Sequence, residues 1–474
     1  MSHTVEKIGG TSMSRLRELR DTLFVGQRKD ADLYGRIFVV SAFGGITDLL
    51  LEHKKSGEPG VYALFANDDT NHGWHDKLDE VGEAMKAAHG EILEHPADIQ
   101  QADSFVDERM HGARSCLIDL QRLCSYGHFR LVEHMGQTRE LLSGLGEAHS
   151  AFVTALMLQR SGVDARFVDL SGWRDEGGLA LDERIEQALE GVDTATELPI
   201  VTGYAQCAEG LMGEFDRGYS EVTFSQLAAL TGASEAIIHK EFHLSSCDPK
   251  LVGEDAARKI GRTNYDVADQ LSNMGMEAIH PKAAKTLRQA DVPLRVTNAF
   301  DPGDPGTLID DCPAEAPGVE IVTGLDIVTL EVFEQDMVGV KGYDAAILDV
   351  LARHGVRIVS KVSNANTITH YLDTSLKTMR RVERDIARIF PAAEITTRTL
   401  SLVSVIGRDL SGLAVLSRGL QALAAAGLSA VGATQGPRNV DVQFVMDREA
   451  LAPAVRALHA ELAERADPEL TKAA

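Results

Sequence analysis

The first residues with an evident chemical use are Lys7 and the segment Gly9-Gly10-Thr11-Ser12 that follows it. Paired glycines let backbone N–H groups approach an anion, and two hydroxyl residues stand at a helix start, where negative charge is favoured. Lys7, at the end of the strand-like segment Thr4-Val5-Glu6, offers a point cation for a transferring phosphoryl group. The pattern predicts either a phosphate-binding turn or an ordinary strand-to-helix turn in which Thr11 or Ser12 caps the helix.

Other polar residues that could take part in chemistry stand where strands are predicted to end or helices to begin. Thr47 follows the buried-strand pattern of residues 35–42 and is a candidate helix cap, while Glu147 follows two glycines and is expected in the first turn of a helix. An acid in that position also stabilises the helix dipole, which is the alternative role for Glu147. The remaining candidates are Tyr204, Arg217, Ser220, Glu221 and Lys250.

The composition is that of a globular protein, with 44% hydrophobic and 25% charged residues in a chain of 474. A net charge of −24 argues against nucleic acid or an anionic membrane as a partner, because both require clustered Lys and Arg. The 5 cysteines are odd in number and lack metal-ligand spacing, so free thiols in a reducing compartment and no bound metal are expected. We recognise no secretory leader and no run long and apolar enough to cross a membrane, which predicts a cytoplasmic protein.

The elements that must position these residues form an alternating pattern over residues 1–310. Predicted strands alternate with predicted helices, which indicates an α/β domain with a mostly parallel sheet. Polar motifs recur at the strand ends, where open α/β sheets bind ligands. The segment Asp301-Pro302-Gly303-Asp304-Pro305-Gly306 is a strong linker signal and predicts the end of this domain.

Beyond this segment the pattern changes to two rounds of a β-α-β-β-α-β unit, at residues 324–400 and 401–467. The first round is predicted to end with a strand at residues 393–399, and the second to begin with a strand at residues 402–406. The second round lacks a sixth element. We therefore expect either that it borrows an edge strand or that the two rounds are nested.

Several motifs, in this order, resemble those of the aspartate kinases in the amino-acid kinase superfamily. Lys7-Ile8-Gly9-Gly10-Thr11-Ser12 is similar to the family's K-F-G-G-T-S nucleotide loop, with Ile8 in place of Phe. The resemblance implies an amino-acid-kinase-like three-layer α/β sandwich with a mostly parallel sheet, followed by an α+β ferredoxin-like pair of ACT domains. The other matching motifs are Val39-Val40-Ser41-Ala42 through Thr47-Asp48, Gly146-Glu147 with Ser150, Asp216-Arg217-Gly218-Tyr219-Ser220-Glu221, Asp248-Pro249-Lys250 and His280-Pro281.

The resemblance also implies ATP-dependent phosphorylation of the β-carboxylate of L-aspartate, with Mg²⁺ entering as MgATP. Lys7 would neutralise charge on the transferring phosphoryl group, Arg217 would clamp the aspartate α-carboxylate, and Glu147 would pair with the α-ammonium. The substrate carboxylate is the nucleophile and is already ionised, so positioning and charge neutralisation carry the rate without a catalytic base. The implied nucleotide-binding residues are Lys7, Gly9, Gly10, Thr11, Ser12 and Lys250, and the implied substrate-binding residues are Thr47, Glu147, Tyr204, Arg217, Ser220 and Glu221.

Besides Ile8, the chain departs from the family pattern at three further places. Tyr219 stands where the family has a glycine, and Glu221 stands where it has an aspartate, which moves the carboxylate outward by one methylene. The segment Ile238-His239-Lys240-Glu241-Phe242-His243 replaces the family's T-D-V-D-G, so base recognition and Mg²⁺ support have no assigned residues there. The variations at Tyr219 and Glu221, with His243-Leu244-Ser245-Ser246, resemble the branch of aspartate kinases associated with ectoine synthesis.

The resemblance to ACT domains predicts a regulatory region. Such domains usually bind a feedback amino acid at a helix start between subunits, and Met337-Val338-Gly339-Val340-Lys341-Gly342-Tyr343 is either the matching turn or a plain helix start. Lysine-inhibited relatives carry acidic residues on the next strands, whereas residues 359–365 carry none. We therefore expect weak or absent inhibition by lysine. ACT pairs commonly associate across subunits, so we expect a homo-oligomer, a dimer or larger.

Two other functions fit parts of this pattern. The same fold could phosphorylate glutamate, acetylglutamate or carbamate, or a chain with an inactive kinase domain could serve as an amino-acid-sensing ACT protein. Arg217 with Glu147 favours a free amino acid, and the ACT pair favours aspartate. Intact Lys7 and Arg217 argue against an inactive domain.

Overall fold

The structure is a computed structural model that describes residues 2–53, 56–67, 73–175, 177–215, 218–276 and 279–464. The chain divides into two compact units, an N-terminal unit of Met1–Leu244 with Ile279–Asp310 and a C-terminal unit of Ser245–Ala278 with Asp311–Ala474. Residues 245–278 thus group with the C-terminal unit, although the sequence pattern places them inside a domain of residues 1–310.

The strands and helices follow one another as the alternating pattern requires. In chain order the strands are β1 (Thr4–Ile8), β2 (Arg36–Val40), β3 (Ala165–Val168), β4 (Leu198–Thr202), β5 (Glu235–Lys240), β6 (Arg262–Asn264), β7 (Leu294–Asn298), β8 (Thr307–Asp310), β9 (Ile321–Phe333), β10 (Arg357–Ser363), β11 (Thr367–Asp373), β12 (Glu394–Ile406), β13 (Gly432–Gln435) and β14 (Asp441–Asp447). The α-helices are α1 (Gly10–Met13), α2 (Leu16–Leu19), α3 (Ile46–Leu50), α4 (Val61–Ala66), α5 (Gly73–Ile92), α6 (Pro96–Cys124), α7 (Met135–Arg160), α8 (Leu181–Ala188), α9 (Leu211–Phe215), α10 (Tyr219–Leu230), α11 (Pro249–Val252), α12 (Tyr265–Asn273), α13 (Pro281–Gln289), α14 (Tyr343–Arg353), α15 (Leu376–Ile389), α16 (Val415–Ala425) and α17 (Leu451–His459).

The sheet of the N-terminal unit has β1 near its centre. Its strands neighbour one another in the order β3-β4-β2-β1-β5-β7-β8. The pairs up to β7 are parallel and β8 is antiparallel to β7, so the predicted mostly parallel sheet is confirmed. Val5, Ile8 and Val40 are fully buried, as expected of parallel strands that are covered on both faces.

Helical segments cover both faces of this sheet. On one face Phe24 packs against Phe38 of β2, with 4.6 Å between ring centroids. On the other face α10 packs against β1, β2 and β5. The predicted three-layer α/β arrangement is therefore confirmed for this unit.

The segment of residues 301–306, which we interpreted as a linker, joins two antiparallel strands instead. It connects β7 to β8 within the N-terminal unit. Gly306 has a positive φ of 71°, and a Cβ there would lie 2.3 Å from the carbonyl oxygen of Val296. Proline, glycine and aspartate favour tight turns as well as linkers, and the linker interpretation was wrong for this reason.

Among the residues that the structure describes, one helical stretch is long and apolar enough to cross a membrane, contrary to the expectation from the sequence. It runs over Leu131–Arg160, and 89% of its most apolar window is buried inside the protein. Its apolar residues therefore pack in the core of the N-terminal unit, since a core helix can have the same length and composition as a membrane span.

The C-terminal unit contains an antiparallel sheet with the order β10-β11-β9-β12-β14-β13. β9 and β12 pair along their whole lengths, from Ile321 opposite Ile406 to Phe333 opposite Glu394. The strands predicted at residues 393–399 and 402–406 are thus one strand, because the apolar alternation continues through residues 400 and 401. Both long strands serve both halves of the sheet, and a boundary between residues 400 and 401 would cut β12.

Candidate active site

Lys7 lies at the end of the central strand β1, where parallel sheets commonly bind ligands. Its side chain is 9% exposed, and its Nζ lies 3.4 Å from Oε1 of Glu221. A lysine rarely becomes this buried without a partner, and Glu221 supplies the compensating charge. The structure therefore brings together two of the predicted site residues.

Glu221 is the third residue of α10 and projects toward β1. A Cβ at Gly218 would lie 2.5 Å from the His280 ring, so glycine is needed for His280 to approach. The His280 backbone N–H donates a hydrogen bond to Oε2 of Glu221. Burial alone would raise the pKa of Glu221, but Lys7, Lys240 and this amide outweigh burial and hold the pKa below its usual value. Glu221 is therefore a carboxylate.

A second lysine, which the sequence analysis did not select, contacts the same carboxylate. Lys240 is the last residue of β5, and its Nζ lies 3.8 Å from Oε1 of Glu221. Lys7 is in register with Ile238 of the neighbouring parallel strand. Because side chains alternate between faces, Lys240 stands on the same face as Lys7, two residues further along. The signal lay in the strand pairing, which spans more than two hundred residues of sequence.

The glycine turn after β1 opens the short helix α1, but its cap differs from the prediction. Gly9 is the N-cap of α1, and Thr11 and Ser12 lie inside the helix. A Cβ at Gly10 would lie 2.7 Å from the backbone oxygen of Ala42, so glycine is required for this close approach. Ser12 Oγ donates to Oε1 of Glu241 at 2.7 Å and ties the turn to the residue after β5. The hydroxyls therefore do not cap the helix.

Glu147 lies in the middle of α7 and not in the first turn of a helix. α7 runs without a break through Gly144 and Gly146, where a Cβ would lie 2.9 Å from the Tyr204 ring and from the Ala42 side chain respectively. These glycines allow close packing, so the prediction that they precede a helix start was wrong.

The carboxyl group of Glu147 is buried and partly unsatisfied. Glu147 is 2% exposed, and its Oε2 has no hydrogen-bond partner among the described residues. Burial raises the pKa of Glu147 to about 8, against the opposing effects of the Lys7 charge and the Tyr204 and Ala42 amides. A buried acid with one unpartnered oxygen is suited to receive a cationic group of a ligand.

Ser220 and Tyr204 border the same region. A Cβ at Gly203 would lie 2.6 Å from Cβ of Ser220 and 2.9 Å from Oε2 of Glu147, so Gly203 allows these side chains to converge. Ser220 Oγ lies 3.3 Å from Oγ of Ser41.

The Tyr204 hydroxyl is already committed to a second acid. It donates to Oε2 of Glu140 at 2.6 Å, and the Tyr204 ring meets the Tyr219 ring edge-on at 5.7 Å. Burial and the Glu140 charge raise the pKa of Tyr204. Tyr204 is therefore neutral, and its ring is the part available to line a pocket.

Three predicted residues are not brought to this region by the described contacts. Thr47 is the second residue of α3 and does not cap it, since the cap is Gly45 with a φ of 85°. Lys250 is the second residue of α11 and belongs to the C-terminal unit. Arg217 lies outside the described residues. Their predicted roles stay predictions.

One group of described residues offers metal-ligand atoms. The donor atoms of His243, Asp301 and Asp304 lie within 4.8 Å of one another. However, His243 Nε2 is hydrogen-bonded to Oδ2 of Asp301 at 3.0 Å. The close contact is that of an ordinary imidazole–carboxylate pair.

Comparisons with known sequences agree on one family. A model of the amino acid kinase family matches residues 3–298. Over 464 residues the chain is 52% identical to aspartate kinase Ask_Ect of Stutzerimonas stutzeri (strain A1501), with 98% of each chain covered. It is also 23% identical to chloroplastic aspartokinase 1 of Arabidopsis thaliana, over 98% of this chain and 80% of that protein.

Comparisons with solved structures show the same fold at low identity. Escherichia coli aspartokinase III in complex with lysine and aspartate matches with a TM-score of 0.72 at 20% identity, covering 98% of this chain and 100% of that chain. The same enzyme in complex with aspartate and ADP matches with a TM-score of 0.71 at 21% identity, covering 97% and 100%. The likeness extends over both compact units of the chain.

Proposed function

The chain belongs to the amino acid kinase family and is an aspartate kinase, and we propose that it phosphorylates aspartate in the pocket around Lys7, Glu147, Ser220 and Glu221. The reaction is the ATP-dependent phosphorylation of the L-aspartate β-carboxylate. The observation that carries the location is the contact between buried Lys7 and Glu221 at the end of β1.

The reaction requires the protein to position the two substrates and to neutralise negative charge. An oxygen of the β-carboxylate forms a bond to the γ-phosphorus, the bond from that phosphorus to the β,γ-bridging oxygen breaks, and ADP leaves with the electron pair. The nucleophile is already ionised, so no proton has to be removed. The Lys7 ammonium would neutralise charge on the phosphoryl oxygens as they pass between donor and acceptor. The product is 4-phospho-L-aspartate.

The α-groups of aspartate would be held by charges of opposite sign. Glu147 would pair with the α-ammonium, and Arg217, which lies outside the described residues, would clamp the α-carboxylate. Because the pKa of Glu147 in the empty pocket is about 8, the arriving ammonium would favour ionisation and binding would release a proton. Ser220 and the Tyr204 ring would complete the wall of this pocket together with Thr47.

The nucleotide would bind across the turn that follows β1. The backbone N–H groups of Gly9, Gly10, Thr11 and Ser12 would face the phosphates. Mg²⁺ would enter with ATP and neutralise phosphate charge. The Ser12 hydroxyl and the Glu241 carboxylate, 2.7 Å apart, are oxygen donors of the kind that Mg²⁺ prefers and fit this role.

The alternative functions receive less support. Glutamate, acetylglutamate or carbamate as the acceptor would keep the fold, but the relative at 52% identity is named an aspartate kinase. An inactive amino-acid sensor would have no need of the buried pair of Lys7 and Glu221. That relative's name, together with Tyr219 and Glu221, supports the ectoine-associated branch.

The C-terminal unit would be an ACT pair that regulates the enzyme. Two observations support this, the antiparallel sheet with two shared long strands and the fold match to aspartokinase III. Oligomers form commonly through such pairs, so we propose at least a homodimer. Lys361 of β10 forms an ion pair with Asp344 in the first turn of α14, and this acid is therefore already neutralised by the chain's own lysine. Free lysine would compete poorly for it.

Hydroxylamine trapping of the acyl phosphate tests the proposed function. With ATP and Mg²⁺, the protein should form a hydroxamate from L-aspartate and none from glutamate, acetylglutamate or carbamate. A hydroxamate from another acceptor would transfer the proposal to that substrate. No hydroxamate from any acceptor, with folded protein, would favour the sensor instead.

A further inference from the structure

Lys240 contacts the proposed reaction centre but has no part in the mechanism described so far. Its Nζ lies 3.8 Å from the same Glu221 oxygen that Lys7 approaches at 3.4 Å. Its side chain is 21% exposed, against 9% for Lys7. Lys240 therefore stands nearer to solvent and to any ligand that enters the pocket.

The two ammonium groups reach Glu221 from the ends of adjacent parallel strands. β1 and β5 are neighbours in the sheet, and the strand register puts both lysines on one face. The other carboxylate oxygen of Glu221 accepts a backbone N–H from His280. Glu221 thus holds two cations with one oxygen, and the three side chains together carry one positive charge more than negative.

The chain next to Lys240 is joined to the glycine turn. Glu241 accepts a hydrogen bond from Ser12, the last residue of the predicted nucleotide loop. The backbone beside Lys240 is therefore held to this turn, and an anion bound by the turn would lie near Lys240. The ligand chemistry that suits two converging ammonium groups is a polyphosphate, since its charges are adjacent on one chain.

We propose that Lys240 is a second phosphate-binding cation, which with Lys7 holds the triphosphate of ATP while Glu221 orients both ammonium groups. The inference rests on the proposed function for the identity of the nucleotide. In the transfer step the bond to the β,γ-bridging oxygen breaks and ADP takes its electron pair. Lys240 would stabilise the negative charge that accumulates on this leaving group, and no proton moves.

The test is calorimetric titration of Lys240→Met with ATP, ADP and AMP, with L-aspartate affinity measured in parallel. We expect the loss of affinity to grow with the number of phosphates. Relative to the wild type, the variant should bind ATP at least tenfold more weakly and AMP less than twofold more weakly. The affinity for L-aspartate should change less than twofold. Lys86→Met is the matched control, because Lys86 of α5 is 30% exposed and pairs with Asp107 of α6, and this variant should bind all four ligands like the wild type.

Two outcomes would overturn the proposal. One is ATP affinity within twofold of the wild type. The other is an equal loss for AMP, ATP and aspartate, which would mean that Lys240 only supports the local structure. If Lys240→Met does not fold, Lys240→Gln, with a polar side chain of similar length, decides by the same criteria. Hydroxylamine trapping with the wild type tests the proposed function separately. The calorimetric result does not depend on which acceptor is phosphorylated, so the two proposals can fail independently.

Discussion

The strands β1 and β5 carry an acid–base cluster on each of their two faces, and the clusters differ in what they leave available. On one face Glu6 Oε2 lies 2.7 Å from Nε2 of His239, and His239 Nδ1 lies 2.7 Å from Oγ1 of Thr297. Burial would raise the pKa of Glu6, but the hydrogen bond and charge of His239, with Arg36 nearby, lower it to about 2. Both ring nitrogens of His239 have partners.

On the opposite face the contacts are longer and the cations outnumber the acid. Lys7 and Lys240 approach one oxygen of Glu221 at 3.4 and 3.8 Å. On the first face, short contacts between matched groups stabilise the fold. On the second, a looser set with positive charge in excess is suited to an anionic ligand. Charge balance, and not burial alone, therefore distinguishes the cluster of Glu6 and His239 from the cluster that we propose to be reactive.

Lys7→Ala should have the largest effect on the reactive face. Loss of the ammonium should remove about 3–5 kcal/mol of transition-state stabilisation. We therefore expect kcat/KM to fall roughly 10²- to 10⁴-fold. The variant should still fold, because Glu221 keeps Lys240 and the His280 amide as partners. Steady-state kinetics with Lys86→Ala as a control measures this, and unimpaired turnover would remove Lys7 from the mechanism.

Glu6→Gln, on the opposite face, should lower stability and leave catalysis nearly unchanged. Breaking the buried pair with His239 should cost about 3 kcal/mol of unfolding free energy at neutral pH, while turnover per folded molecule changes little.

The pH dependence of Glu6 follows from its lowered pKa. Its stabilising contribution is complete above the unfolded-state value of about 4.5 and is lost as the pH falls toward 2. Urea unfolding at pH 7 and near pH 3 should therefore show a difference between the wild type and Glu6→Gln that shrinks in acid. A difference that is constant with pH would contradict this account of the pair.

Glu147 should make aspartate binding depend on pH. Below its pKa of about 8 the empty pocket holds a proton, so the apparent affinity should rise by up to about tenfold per pH unit between pH 6.5 and 8. Glu147→Gln should bind more weakly at pH 8 and show no such slope. The folded state binds the extra proton between about pH 4.5 and 8, so stability falls with pH across this window and the substitution should remove that fall. Titrations with L-aspartate and urea unfolding, each across pH, check both.

Lysine should have the smallest effect. Because Lys361 already pairs with Asp344, we expect less than about twofold inhibition at 1 mM lysine. An inhibition curve measures this, and strong inhibition at sub-millimolar lysine would refute it. Lys361→Ala sharpens the comparison, since it frees the acid and should increase sensitivity if the ion pair is the cause.

Only some residues of the candidate site could be predicted from the sequence. Lys7 was found from a local motif, and the β-α alternation predicted the parallel sheet that holds it. Lys240 could not be found in this way, because its role depends on the register of two strands far apart in the chain. Glu147 was placed at a helix start although it lies inside α7, since a glycine that permits close packing looks like one that ends a helix, and its role as a site residue stays a prediction. The linker interpretation of residues 301–306 failed for a similar reason.

The most direct test of the central claim is a crystal structure with Mg²⁺, L-aspartate and a non-hydrolysable ATP analogue. The claim is that the Lys7 face of β1 and β5 is where the phosphoryl group is transferred. We predict a γ-phosphate oxygen within about 3.2 Å of Lys7 Nζ, with the aspartate ammonium beside Glu147. Phosphates bound away from Lys7, or on the face of Glu6 and His239, would contradict the claim.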